Sequence, residues 1–118
     1  MTLEDFRAAC AALPAVSYVN QWGGAHVYKV GDRIFAIAGF ADRGGPPAYA
    51  FKASPLAYQL LIEHGLARPA PYLARAGWVR LVSRDALSDV DVTAYLAQAH
   101  ALVAARLTRA ARRSLGLG

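Results

Sequence analysis

Between residues 25 and 39, two β-prone runs stand only two residues apart, and that spacing constrains the fold more than any other feature of the chain. Residues 25–30 alternate His26, Tyr28 and Val30 against Val27 and Lys29. Residues 33–39 carry Ile34, Phe35, Ala36, Ile37 and Ala38 in succession. Gly31-Asp32 between them reads as a two-residue hairpin loop, which makes the two strands antiparallel neighbours. The second run is apolar on both faces, so it belongs inside a sheet with cover above and below.

Turn residues divide the surrounding chain into further short elements. A strand over 17–22, with Tyr18, Val19 and Trp22, precedes Gly23-Gly24. Residues 41–47 hold Asp42, Gly44, Gly45, Pro46 and Pro47 and read as an exposed loop. Residues 48–52 follow as a fourth strand, with Tyr49 and Phe51 on one face and Lys52 on the other. After a connection over 68–77, residues 78–82 form a fifth strand.

Three helices frame these strands. The first spans about residues 3–13: Thr2 caps it, Glu4 and Asp5 suit its positive end, and Phe6, Ala9, Cys10 and Leu13 recur at helical spacing. Ser54-Pro55 starts a second helix, which runs to His64 with Leu56, Leu60 and Leu61 inward and stops at Gly65. Ser88 caps a third, from Asp89 to Arg113, with the stripe Val92, Leu96, Ala99, Val103, Leu107 and Ala110. The order α-β-β-β-β-α-β-α predicts an α+β sandwich: an antiparallel, five-stranded sheet with helices packed on one face. The expected core includes Phe6, Leu13, Ile34, Ile37, Phe51, Leu60, Leu96, Val103 and Leu107.

With 118 residues the chain makes one domain, taken as residues 1–113 with a short tail at 114–118. A hydrophobic content of 56% excludes disorder. No apolar run reaches the ~20 residues of a membrane span, and the acidic opening is unlike a signal peptide. The lone Cys10 excludes an internal disulfide and suits a reducing, cytoplasmic setting. The formal net charge of +5 is uneven: residues 1–100 nearly balance, while Arg106, Arg109, Arg112 and Arg113 stand after the last acid, Asp91.

In order and spacing, several segments resemble one known family. These are Phe6-Arg7 with Leu13-Pro14-Ala15-Val16, the hairpin from Val27 to Ala36, Phe51-Lys52-Ala53-Ser54-Pro55, and the run from Pro69 through Tyr72, Leu73, Arg75 and Gly77 to Val79. Together they are similar to the MmcQ/YjbR family of small bacterial proteins, whose fold is like that of the frataxins. The resemblance covers essentially the whole chain; Ala15 stands where the family often has Gly, and Arg75 where it often has Lys. It implies a frataxin-like sandwich and DNA binding through a double-wing arrangement, with no catalytic motif attached.

The residues themselves offer two cationic candidates for a nucleic-acid surface. Lys52, Tyr72, Arg75, Trp78 and Arg80 combine cations for phosphates with an aromatic for stacking, and alternation groups Trp78 with Arg80 on the sheet face away from the helices. The competing reading makes Trp78 core and the arginines merely solvated; Lys29 is a weaker hairpin cation. Arg106, Arg109, Arg112 and Arg113 form a secondary patch within an arc of roughly 120° on the last helix. Cations at a helix C-terminus also complement its dipole, and this end is expected to fray beyond Leu107.

Other chemistries find no motif. His26, His64 and His100 lack ligand spacing, no second cysteine exists, and an iron-handling first helix needs more acid than Glu4 and Asp5 supply. Nucleotide loops and nucleophile elbows are missing too. The expectation is a cytoplasmic, non-catalytic accessory module that binds DNA, with no cofactor, metal or membrane and with a monomer favoured. The alternative is a protein- or small-ligand-binding module with no nucleic-acid role.

Overall fold

The computed structural model describes residues 1–39, 48–71 and 73–118, so the predicted loop at 41–47 lies outside the described residues. The elements are α1 (Leu3–Ala11), β1 (Val16–Gln21), β2 (Ala25–Val30), β3 (Arg33–Ala38), β4 (Tyr49–Lys52), α2 (Pro55–Glu63), β5 (Ala67–Pro69), β6 (Trp78–Leu81), α3 (Asp89–Ala104) and α4 (Arg109–Ser114). Ala74–Ala76 forms a single 3₁₀ turn before β6. The sheet has six strands in the order β1-β2-β3-β4-β6-β5, and every pairing is antiparallel.

The helix starts follow the hydroxyl caps expected of them. Thr2 Oγ1 accepts from the Asp5 amide at 3.1 Å, Ser54 Oγ from Ala57 at 3.1 Å and Ser88 Oγ from Asp91 at 3.1 Å. The Gly31-Asp32 loop joins β2 to β3 with Gly31 at φ 62°. Only the first loop residue has a positive φ, the pattern of a type II′ turn that needs glycine there.

Helices α1 and α3 lie beside each other on one face of the sheet. Under them Phe6, Tyr28, Val30, Phe35, Phe51, Val79, Val92, Leu96 and Val103 form the main core. The Phe6 and Tyr49 rings stack 4.3 Å apart between α1 and β4. Tyr28 pairs with Ala36 but Lys29 pairs with Ile34, so Phe35 is an extra residue in β3. This bulge turns Phe35 and Ala36 both toward the helices.

The opposite face is not wet at its centre. Ala25, Val27, Ile37, Ala50, Ala70 and Trp78 form a second buried cluster, with Val19, Ile34 and Leu73 partly buried against it. Ile37 is therefore core, as expected, but of this smaller cluster.

Four sequence expectations need correction. The sheet has a sixth strand, β5, overlapping the start of the region read as a plain connection. Three residues ending in Pro69 are too short to show a period, and only pairing with β6 defines them. The last helix is broken at 105–108: Ala105 closes α3, and Thr108 opens α4 by accepting from the Ala111 amide at 3.0 Å. The break lets Leu107 and Leu115 pack around Gly31, and Leu117 against the main core, so the end is docked rather than frayed. Finally, α2 buries Ala57 and Leu61, while Leu56 and Leu60 are 67% and 43% exposed. The helix is apolar on several faces, so periodicity alone did not select the buried one. Leu13, Ile34 and Leu107 are partly buried.

Ala15, in the turn between α1 and β1, has φ 57°. His100, buried in α3, places Nε2 2.7 Å from the neighbouring Pro14 carbonyl oxygen and sets its ring edge-on to Phe35. The left-handed conformation costs an L-residue roughly 1–2 kcal/mol, and glycine loses roughly 0.5–1 kcal/mol more than alanine in chain entropy. Ala15→Gly is expected to raise stability by up to about 1 kcal/mol. Urea unfolding checks it, with a higher midpoint at unchanged slope.

Candidate functional site

The six strands contain Lys29, Arg33, Lys52, Arg68 and Arg80 and not a single Asp or Glu. Helices α2 and α3 show the reverse, with Glu63, Asp89 and Asp91 and no Lys or Arg. Alternation and register place Lys29, Lys52, Arg68 and Arg80 on the helix-free side, around the margin of the small apolar cluster. Arg80 lies between Ala50 and Arg68, its direct partners on the adjacent strands. Like charges placed opposite each other in a sheet repel, so the Arg68–Arg80 pairing is a local cost.

Lys52 lies opposite Trp78, and its ammonium donates to the Ala76 carbonyl at the end of the 3₁₀ turn. Partial burial first, and the charge of Arg106 second, hold it below the ordinary lysine pKa. Gly77 makes room for this contact: its φ is 79°, and a Cβ there would stand 3.1 Å from Lys52 Nζ. Exposed Arg75 precedes Ala76 in the same turn.

The structure therefore joins part of the secondary patch to the first group, because Arg106 acts on Lys52. Arg109, Arg112 and Arg113 lie on α4, so the helix break separates them from the continuous arc expected on one long helix. Tyr72 lies outside the described residues. Trp78 is 5% exposed and packed in the second cluster, with its amide 3.3 Å from the Leu73 carbonyl. Its ring is core and presents no free face for stacking.

Sequence reasoning missed a second constellation, at the β1 edge. Arg7 Nε donates to Tyr28 Oη at 3.0 Å, and its guanidinium carbon lies 5.0 Å from the Tyr18 ring centroid. Tyr18 Oη and His26 Nδ1 are 2.7 Å apart, with the rings roughly stacked at 5.8 Å. Desolvation, then the Arg7 charge, lowers the His26 pKa, while burial raises that of Tyr28. The hydrogen bond from Arg7 to Tyr28 raises the Arg7 pKa. These residues come together only through the β1–β2 register, which faces Tyr18 with Tyr28, and through the docking of α1. No spacing motif carries that information.

Among the described residues, no group of three or more His, Cys, Asp or Glu side chains is placed to hold a metal ion. Cys10 is fully buried, and burial pushes its thiol pKa up to about 12. No described helix is long and apolar enough to cross a membrane. A cavity of about 470 Å³ lies between α2 and α3, floored by Leu61, Leu66, Leu87 and Tyr95 with Asp91 and His64 in its wall.

A protein-family model, YjbR, matches residues 11–102. No curated protein sequence matches the chain. Among solved structures, the crystal structure of Deinococcus radiodurans protein DR2400, which carries the DUF419 domain, is similar with a TM-score of 0.83. The two are 24% identical, and the match covers 99% of this chain and 89% of that one. That likeness bears on the fold.

Two outcomes follow from these side chains. Trp78→Ala is expected to lower stability by roughly 3–5 kcal/mol, as removal of a buried aromatic does, read from chemical unfolding. His26 is expected to titrate below 6.5 by NMR. The unfolded chain then binds that proton first, so His26 makes stability fall as pH drops through 6.5 toward its lowered pKa. His26→Gln is expected to make the pH dependence of unfolding shallower across that window.

Proposed function

The chain belongs to the YjbR family, and from that footing we propose that it is a non-catalytic accessory module that binds nucleic acid through the helix-free side of its sheet. One observation carries the reading: every Lys, Arg, Asp or Glu on the strands is a cation, and four of them ring a single face. Phosphates of a strand or duplex match such a face, and the binding energy comes largely from counterion release. Lys52, Arg68 and Arg80 act as a group at fixed strand spacing, with Arg75 and Arg106 adding charge beside Lys52. Since Trp78 is buried, attraction to phosphates rather than base stacking on this residue drives the interaction.

A second reading is favoured by the groove between α2 and α3. Its lining is largely apolar, with Leu60, Leu61, Leu66, Leu87, Ala94 and Tyr95, and Leu60 is 43% exposed; an exposed apolar groove of this kind marks interaction sites. In that reading the protein is a protein- or small-ligand-binding module with no nucleic-acid role.

Fluorescence anisotropy with labelled duplex and single-stranded DNA at about 50 and about 200 mM salt separates the two. Binding is expected to weaken steeply with salt. Arg68→Ala with Arg80→Ala is expected to lower affinity and to reduce the log–log salt slope by about one per phosphate contact removed. Replacing Arg109, Arg112 and Arg113 is expected mainly to flatten the salt dependence. Absence of binding at low salt, or unchanged binding by the Arg68/Arg80 variant, overturns the cationic-face reading.

A further inference from the structure

The two edges of the sheet are treated very differently. At one end β5 has only three residues, carries Arg68 and finishes in Pro69, which are the usual means of blocking edge-to-edge pairing. At the other end β1 runs six residues, Val-Ser-Tyr-Val-Asn-Gln, with no charge and no proline. Its register with β2 is unbroken; the bulge lies one strand further in. Ser17, Tyr18 and Asn20 are exposed, and among the described residues no hydrogen bond reaches the outer backbone side of β1. Tyr18, 43% exposed, lies within it, and Trp22, 56% exposed, directly follows it. Trp22 is held at φ 54°, a conformation that costs energy in a bulky residue.

Strand β1 itself carries no charge with which to select a charged partner or repel its own copy; the cation packed against it, Arg7, is held on the helix side, over the Tyr18 ring and hydrogen-bonded to Tyr28. We propose that β1 is a dimerisation edge, pairing antiparallel with β1 of a second copy of this chain. A two-fold axis normal to the sheet reverses strand direction while keeping the helix layers of both copies on one side. Faces match only when residues of equal parity meet, which puts either Tyr18 or Val19 at the axis; a one-residue slip sets helix-side groups against the other face. Because β5 blocks the opposite edge, addition stops at two copies and no filament forms. This departs from the monomer favoured by the sequence, and it does not depend on the nucleic-acid reading. If both hold, the paired sheets carry their cations on one continuous side.

A single strand pair buries less than a standard interface, so association belongs in the micromolar range or weaker. Light scattering and sedimentation equilibrium from about 10 µM to about 1 mM protein test it. The expected result is a mass rising from 12.6 kDa to twice that value and no further. Amide exchange in residues 16–21 is expected to slow over the same range. Ser17→Glu with Asn20→Glu puts like charges across the axis, with the Ser17 position facing Lys29 in its own sheet. That variant is expected to associate at least tenfold more weakly, with an unchanged thermal midpoint in dilute solution. If it is less stable, Asn20→Lys alone is read in the same way. A monomer mass at every concentration overturns the proposal. So do association unaffected by either variant, protection centred on α2 and α3 instead of β1, or growth beyond two copies.

Discussion

Strands β3 and β4 are apolar toward both sides, and the remaining elements are arranged to keep water from them. Phe35, Ala36, Ala38, Tyr49 and Phe51 face the helices, while Ile37 and Ala50 face away, and none is more than 8% exposed. Covering one side requires α1 and α3. Covering the other requires Val27 and Trp78 on adjacent strands, together with the turn that brings Ala70 and Leu73 over the cluster. A sheet covered this way has two cores of unequal size, and its irregularities serve them. The extra residue in β3 turns Phe35 and Ala36 both toward the helices, and Gly77 admits the return into β6.

The same arrangement partitions the charge. On the helix side the strands lie beneath packed apolar side chains, and four of their five cations, all but Arg33, instead project from the other side, around the edge of the smaller cluster. Carboxylates concentrate at helix starts, where Glu4, Asp5, Asp89 and Asp91 complement unpaired amides. The result is a molecule with acidic, apolar α2 and α3 and a basic sheet surface. The docked C-terminal segment reinforces this asymmetry by bringing Arg106 within electrostatic reach of Lys52.

Much of the fold was legible because it is encoded locally. The Gly31-Asp32 loop, the three hydroxyl caps and the alternation from Ala25 to Ala38 each act within a few residues. The parts that were not legible depend on distant partners. Residues 67–69 become a strand only against β6. Leu107 and Leu115 turn the chain after Ala105 because they meet Gly31, more than seventy residues earlier in sequence. The cationic candidates were visible as residue types, yet whether Trp78 was exposed depended on Ala70 and Leu73 folding over it. Arg7, Tyr18, His26 and Tyr28 carried no signal at all, since their meeting is a matter of register.

By itself the sequence determined the class of fold, the antiparallel neighbours around the central hairpin, the helix starts and the family to which the chain belongs. These rest on short-range chemistry: side-chain caps, fixed-φ turns and the period of apolar residues. Tertiary structure alone decided which face of α2 is buried, where the last helix breaks, that Trp78 is core, and that the three-residue β5 forms one sheet edge while the six-residue β1 forms the other. Each of these depends on what lies across the sheet or at its margin. Such contacts are made between residues far apart in the chain, and no local pattern specifies them.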